Sequence, residues 1–363
     1  MHRLTARTVE LINIPSPSLA EADILAWVAA QLPADWRVVH EHGEWVVAQR
    51  GDAGPGLLLG GHVDTIPAQG NLPAQLRDGV IAGLGASDMK GGVAVMLELA
   101  ERLSGTGGPQ ATGPEAAVLT PAVPVTLLFF AREELAVALS PISRLLAELP
   151  ELRQAQLVVM LEPTDNVVEV GCLGNIVATA RFEGVSAHSA RPWLGRSAVD
   201  LALPALARIA ARAPVEVHVS GHTFTEVVSV VGLEAGVADN VIPPLLEARI
   251  NYRYAPGREP AAAEAELLEL LADASETEIL SNAPAGAVPD ANPWVAALAR
   301  ESGQAPRPKL AWTTVAEFGA AGIDAVNFGP GAPAAAHKAD EWIETAALER
   351  CFEVLRAVIE GGP

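Results

Sequence analysis

The chain has 363 residues, half of them hydrophobic, which is more than one average core holds, so two domains are expected. A formal charge of −20 with no Lys/Arg cluster argues against nucleic acid and anionic membrane as partners. Two cysteines, Cys172 and Cys351, suit a reducing compartment, and no repeat or collagen-like period is present. The N-terminal stretch lacks the apolar core of about 7–15 residues that marks a signal peptide. No run approaches the roughly 18 apolar residues of a membrane span, so a soluble cytoplasmic protein is expected.

Residues 1–35 carry helical spacing (Leu4, Val9, Leu11, then Ile24, Trp27, Leu32), and Trp36 to Gln49 reads as strands. The apolar run Leu57-Leu58-Leu59 then ends in a glycine pair and His62-Val63-Asp64. Residues two apart on a strand share a face, so His62 and Asp64 lie side by side where strand gives way to loop. A metal-binding imidazole usually has its other ring nitrogen held by a carboxylate, and this pair has that form. Asp88 follows in Gly85-Ala86-Ser87-Asp88-Met89-Lys90-Gly91-Gly92, just ahead of helical spacing over Val93 to Leu103. Residues 104–124 are low in complexity and predict a mobile surface loop.

Val125 to Phe130 is apolar but for Thr126, the pattern of a buried parallel strand, and Arg132-Glu133-Glu134 follow it. Leu157 to Leu161 is a second such strand, capped by Glu162. Three strands therefore deliver acidic or imidazole groups at equivalent ends, where open α/β sheets place their sites. From about Gly174 to Ser281 the texture changes to alternating strands (175–182, 227–231, 246–253), with helices near 196–212 and 260–274. That order predicts an inserted α+β domain of ferredoxin-like form. In it His188 follows a strand and sits beside Arg191, which suits substrate contact. From Pro289 the first domain resumes, with a helix at 293–302, a strand at 325–328, His337, and a last helix over 344–359. The expected division is 1–173 with 284–363, and 174–283.

Two histidines and several carboxylates without a cysteine form an N/O donor set for Zn²⁺, Co²⁺ or Mn²⁺. Asp88 could bridge two ions, and a further carboxylate, Glu133 or Glu134, could move the proton of an attacking water. No Gly-X-Ser-X-Gly elbow or P-loop is present, so serine-hydrolase and nucleotide chemistry lack support.

Five blocks, Gly61-His62-Val63-Asp64-Thr65, Ser87-Asp88-Met89-Lys90-Gly91, Arg132-Glu133-Glu134, Glu162-Pro163-Thr164 and Ala336-His337, resemble those of the co-catalytic di-zinc amidohydrolase family. The resemblance implies an α/β zinc-peptidase-like mixed sheet with helices on both faces, and an inserted lid that makes a homodimer. It implies two zinc ions, one on His62 and Glu162, the other on Glu134 and His337, with Asp88 shared. Glu133 would be the general base, Asp64 the support of His62, and the Asp88-Met89 peptide would be cis. His188 would reach a partner subunit's site and bind the carbonyl oxyanion. Further stretches (Val168 to Cys172, Ala187 to Gly195, Gly236 to Pro243, Asn251 to Pro256, Asn327 to Gly331) are similar to succinyl-diaminopimelate desuccinylases of the actinobacterial type. The implied substrate is a small N-acyl amino acid, N-succinyl-L,L-2,6-diaminopimelate, bound by Arg191, Arg253, Asn240 and Gly331. Arginine suits carboxylates because its fork pairs with them bidentately. One stretch departs: Trp312-Thr313-Thr314-Val315-Ala316-Glu317-Phe318 stands where those enzymes read like Trp-Thr-Asp-Val-Ala-Arg-Phe. The reversed charge at Glu317 leaves open a deacylase of another N-acyl amino acid, an acetylornithine-like substrate, or a dipeptidase. A non-catalytic binding protein would need damaged ligand positions, and all of them are filled.

Overall fold

A computed structural model describes residues 3–50, 54, 56–104 and 118–363. Most of the predicted loop over 104–124, residues 105–117, lies outside the described residues. The chain divides into two units, one of Met1–Gly171, Pro289–Arg307 and Thr313–Pro363, the other of Cys172–Val288 and Pro308–Trp312.

The first unit is built on an eight-stranded mixed sheet whose middle follows directly from the apolar runs. Strands Leu57–His62, Val125–Phe130 and Leu157–Met160 are buried along their whole length, so both sheet faces are covered. Burying a Leu, Val or Phe side chain contributes roughly 1.5–3 kcal/mol, so these strands have little freedom to leave the middle of the sheet. Leu57–His62 lies parallel to both neighbours, with Leu57 opposite Val125 and Leu157, and His62 opposite Phe130. The three strands end level, and whatever follows each one emerges at the same sheet edge. Strand Trp45–Arg50 pairs antiparallel with Val125–Phe130, and Ala325–Asn327 runs parallel to Leu157–Met160.

Helix Gly91–Ser104 packs on strand Leu57–His62 and on helices Arg3–Ile12 and Thr345–Gly361. It comes close because Gly92 has no side chain: a Cβ there would lie 2.6 Å from the Leu161 carbonyl oxygen. A separate three-stranded sheet joins Trp342–Glu344, Val80–Ala82 and Gln75–Arg77. Its strands are three residues each, too short for an alternation signal, and the sequence reading missed them.

The second unit has a five-stranded antiparallel sheet with helices Ala198–Ala211 and Pro260–Leu270. Strands His222–Ala235, Leu245–Tyr254, Gly174–Glu183 and Glu276–Ala283 lie side by side in that order. With the two helices this is a β-α-β-β-α-β arrangement of ferredoxin-like order, and Val215–Val219 adds one strand at the edge. Strict alternation of buried and half-buried residues along Gly174–Glu183 turns Ile176, Ala178, Ala180 and Phe182 into the core beneath the helices. Among the described residues no helix is long and apolar enough to cross a membrane.

Candidate metal centre

The level strand ends gather the predicted residues. His62 closes its strand and is 1% exposed. Glu133 and Glu134 follow Val125–Phe130 through Arg132, which has a left-handed φ of 64°. Glu162 follows Leu157–Met160. Asp88 comes from the turn before helix Gly91–Ser104, and the Asp88-Met89 peptide is cis, as the family resemblance implied. His337, with φ 61°, comes from the loop after strand Ala325–Asn327.

Asp88 lies at the middle. Its Oδ1 is 3.1 Å from Nε2 of His62, and its Oδ2 is 3.3 Å from Nε2 of His337. His337 Nε2 is also 3.0 Å from the Glu134 carboxylate. Two sets of donor atoms result, His62-Asp88-Glu162 and Asp88-Glu134-His337, each with its atoms within 4.8 Å of one another. One carboxylate thus turns a different oxygen toward each of two imidazoles, the form of a ligand shared by two cations. The donors are nitrogen and oxygen only, which fits Zn²⁺, Co²⁺ or Mn²⁺.

Asp64 ties two strand ends together. Its carboxylate is 3.4 Å from His62 Nδ1 and accepts the N–H groups of Glu133 and Glu134 at 3.1 Å each, with the Ser18 hydroxyl at 2.8 Å. The imidazole orientation and the path of the Glu133-Glu134 backbone therefore depend on one buried side chain.

The electrostatics of the gathered carboxylates favour positive charge. Burial opposes the imidazolium of His62, but hydrogen bonds to Asp64 and Asp88 and the charge of Glu162 outweigh it, raising its pKa well above the usual value. Hydrogen bonds to Asp88 and Glu134 push His337 up to about 10. Burial raises Glu133, the charge of Glu162 adds to it, and His62 opposes; the net result is a carboxyl well above its usual range. Each shift has the sign expected where carboxylates outnumber cations.

Sequence reasoning missed Glu341, whose carboxylate accepts backbone N–H groups of the Asp88 turn. Gly331 lies against the same turn: a Cβ there would be 2.2 Å from the Ser87 carbonyl oxygen, so only glycine allows the approach. Its own carbonyl accepts Asp165 N–H.

His188, Arg191, Asn240 and Arg253 belong to the second unit. His188 forms a bridge with Val241, and Ser189 N–H donates to the Asn240 carbonyl at 2.9 Å, so the 188–191 and 240–242 segments lie together. His188, Arg191 and Asn240 are exposed, whereas Arg253 is half-buried on strand Leu245–Tyr254, its Nε on Asn251 Oδ1 at 2.9 Å. Glu317, the departing residue, is only 9% exposed and accepts the Ser140 hydroxyl at 2.7 Å.

The profile of peptidase family M20/M25/M40 matches residues 58–361. The chain is 36% identical to succinyl-diaminopimelate desuccinylase of Corynebacterium glutamicum, over 92% of this chain and 90% of that protein. It is 35% identical to a Mycobacterium tuberculosis protein provisionally named succinyl-diaminopimelate desuccinylase DapE, over 98% and 97%. Among solved structures, aminopeptidase PepT of Bacillus cereus has the same fold, with a TM-score of 0.75 at 19% identity over 99% of this chain and 97% of that one. A profile that spans the strand ends, both donor sets and the last helix, with relatives similar along almost their whole length, makes the chain a member of peptidase family M20/M25/M40.

Proposed function

We propose that the chain is a di-metal amide hydrolase that cleaves N-succinyl-L,L-2,6-diaminopimelate to succinate and L,L-diaminopimelate, a step of lysine and diaminopimelate biosynthesis. The observation that carries the di-metal reading is the Asp88 carboxylate, one oxygen toward His62 and the other toward His337. His62 and Glu162 would hold one ion, Glu134 and His337 the other, and Asp88 both. The substrate is supported by the names of relatives 35–36% identical over nearly the full chain.

When bound, two divalent cations polarise the scissile carbonyl and acidify an attacking water. The chain's residues supply the rest. Glu133, next to the donor sets and raised in proton affinity by burial and by Glu162, takes the water proton and returns it to the leaving amine. Asp64 keeps the His62 ring oriented, and through the Glu133 and Glu134 N–H groups it holds the base in place. In the second unit, Arg191, Arg253 and Asn240 are proposed to bind substrate carboxylates, and His188 to stabilise the oxyanion from across a homodimer. Gly331 would offer its backbone to the substrate.

A second reading, a deacylase of another N-acyl amino acid, draws on Thr314 and on Glu317, whose carboxylate is occupied by Ser140. Steady-state kinetics on the zinc-loaded chain with succinyl-diaminopimelate, N-acetylornithine and dipeptides separates the two. The expected result is the highest kcat/KM for succinyl-diaminopimelate. An acetyl substrate ahead by a hundredfold or more, about 2.7 kcal/mol, would remove the named substrate while leaving the metal chemistry.

A further inference from the structure

The Asp88 turn carries a second buried carboxylate that the chemistry above does not use. Glu341 is 2% exposed, and its Oε1 accepts the N–H groups of Ser87 and Asp88 at 2.9 Å each. Its Oε2 accepts Gly85 N–H at 2.8 Å. These donors open the short helical turn Ala86–Lys90 that leads into helix Gly91–Ser104, and Asp88 and Met89 depart from helical φ/ψ within it; the carboxylate holds the backbone from which Asp88 projects. The same segment is fastened at further points. Gly83 N–H donates to the Glu341 carbonyl at 2.9 Å, and the Ser87 hydroxyl donates to the Trp342 carbonyl at 2.6 Å. Glu341 N–H returns to the Lys338 carbonyl at 3.2 Å, which fixes the short run from His337 to Glu341.

A second carboxylate so near Asp88 repels it, and two buried like charges are costly unless positive charge is adjacent. Three amide dipoles and the buried Lys90 ammonium, whose charge acts on Glu341, offset part of that cost. Cations on Asp88 would offset the remainder, so the arrangement makes physical sense around a loaded centre.

We propose that Glu341 is a positioning residue: it is the strut that sets Asp88 against His337, two ligands of one ion carried on loops about 250 residues apart in sequence. Glu341 acts in this way only if the di-metal reading above holds. Removing a partner that orients ligands typically weakens metal affinity by about 10–100-fold.

The test is zinc affinity of the full chain by competition with a chromophoric chelator, with thermal unfolding of the metal-free protein alongside. Wild type, Glu341→Ala and Glu341→Gln are compared. The expected result is two zinc ions on wild type and about 10–100-fold weaker binding of one of them in Glu341→Ala. Glu341→Gln should lose less, because its single oxygen still accepts the Ser87 and Asp88 N–H groups. Wild-type zinc affinity in both variants, even with a lower melting temperature, would make Glu341 merely structural and overturn the proposal. Should Glu341→Ala fail to fold, Glu341→Gln decides by the same measure: weakened zinc supports the strut, unchanged zinc overturns it. A wild type that takes up no second zinc would remove the di-metal reading and the strut with it, whereas unchanged variants on a two-zinc wild type overturn the strut alone.

Discussion

The buried half of the candidate metal centre and the candidate substrate residues of the second unit are built in opposite ways, with the exposed His337 closing the centre from outside. His62, Asp64 and Glu162 are nearly fully buried, and Asp64 alone has four polar contacts from three parts of the chain. His188, Arg191 and Asn240 stand exposed on short segments joined mainly through backbone bonds. Groups that must hold cations at fixed separations need preorganisation, and burial with hydrogen bonding supplies it. Groups that select a flexible, charged ligand can lie in the open, where a substitution costs little stability. Chemistry and selectivity should therefore fail separately when mutated.

The largest expected break is Glu133→Gln. It keeps the side-chain shape but cannot accept the water proton, so kcat should fall by about 10²–10⁴-fold. Zinc content by elemental analysis should stay at wild type, because Glu133 belongs to neither donor set. Loss of zinc together with activity would show that the base and the ligands are not separable.

A smaller effect tests the buried acid that departs from the resemblance. Burial pushes the Glu317 carboxyl from 4.5 to about 7, with the Ser140 and Ser143 hydroxyls opposing. The folded state then binds the proton more tightly than the unfolded chain. Stability from this group is therefore fully present below pH 4.5 and is lost as pH rises toward about 7. Glu317→Gln should remove that loss, leaving the variant more stable than wild type at pH 8 by on the order of 3 kcal/mol, with little difference at pH 5. Urea unfolding of the metal-free proteins at both pH values measures it. A variant less stable than wild type at pH 8 would mean that the ionised carboxylate is the favoured native form.

The smallest effect belongs to the open surface. Arg191→Ala should lower kcat/KM for succinyl-diaminopimelate by about 10–100-fold, the worth of a charge-assisted hydrogen bond. Its unfolding free energy should stay within about 0.5 kcal/mol of wild type, as for exposed positions generally. An unchanged kcat/KM would take Arg191 out of substrate binding.

How much of this could be read from the sequence follows the same division. The strands 57–62, 125–130 and 157–160 were legible because each is a largely apolar run, interrupted only by Thr126, with a polar residue at or soon after its end, and equal ends follow once such runs pair in parallel. His62, Asp64, the Glu133-Glu134 pair and Glu162 could be singled out for that reason, whereas Asp88 and His337 follow no such strand and rested on the family resemblance; the meeting of all of them requires the fold. Strands Val215–Val219 and Glu276–Ala283 were not named, since both lie at sheet edges and show mixed burial. Glu341 was invisible for a different reason. Its partners are main-chain N–H groups more than 250 residues away, and a backbone donor leaves no residue type to recognise. Glu317 was expected to alter charge near a substrate; its pairing with Ser140, 177 residues away, shows that a reversed charge can be absorbed by the interior.

The order in which the ligands occur has a consequence for biosynthesis. Four of the five proposed ligands, His62, Asp88, Glu134 and Glu162, precede the inserted unit, and His337 follows it, with Glu341 just behind. A ribosome must therefore translate the entire insertion before the second donor set exists. A nascent chain, or one cut within the insertion and stripped of its last part, carries His62, Asp88 and Glu162 but has no imidazole for Glu134. On the proposed reading, hydrolytic capacity arises only after the insertion has been made and His337 has followed it.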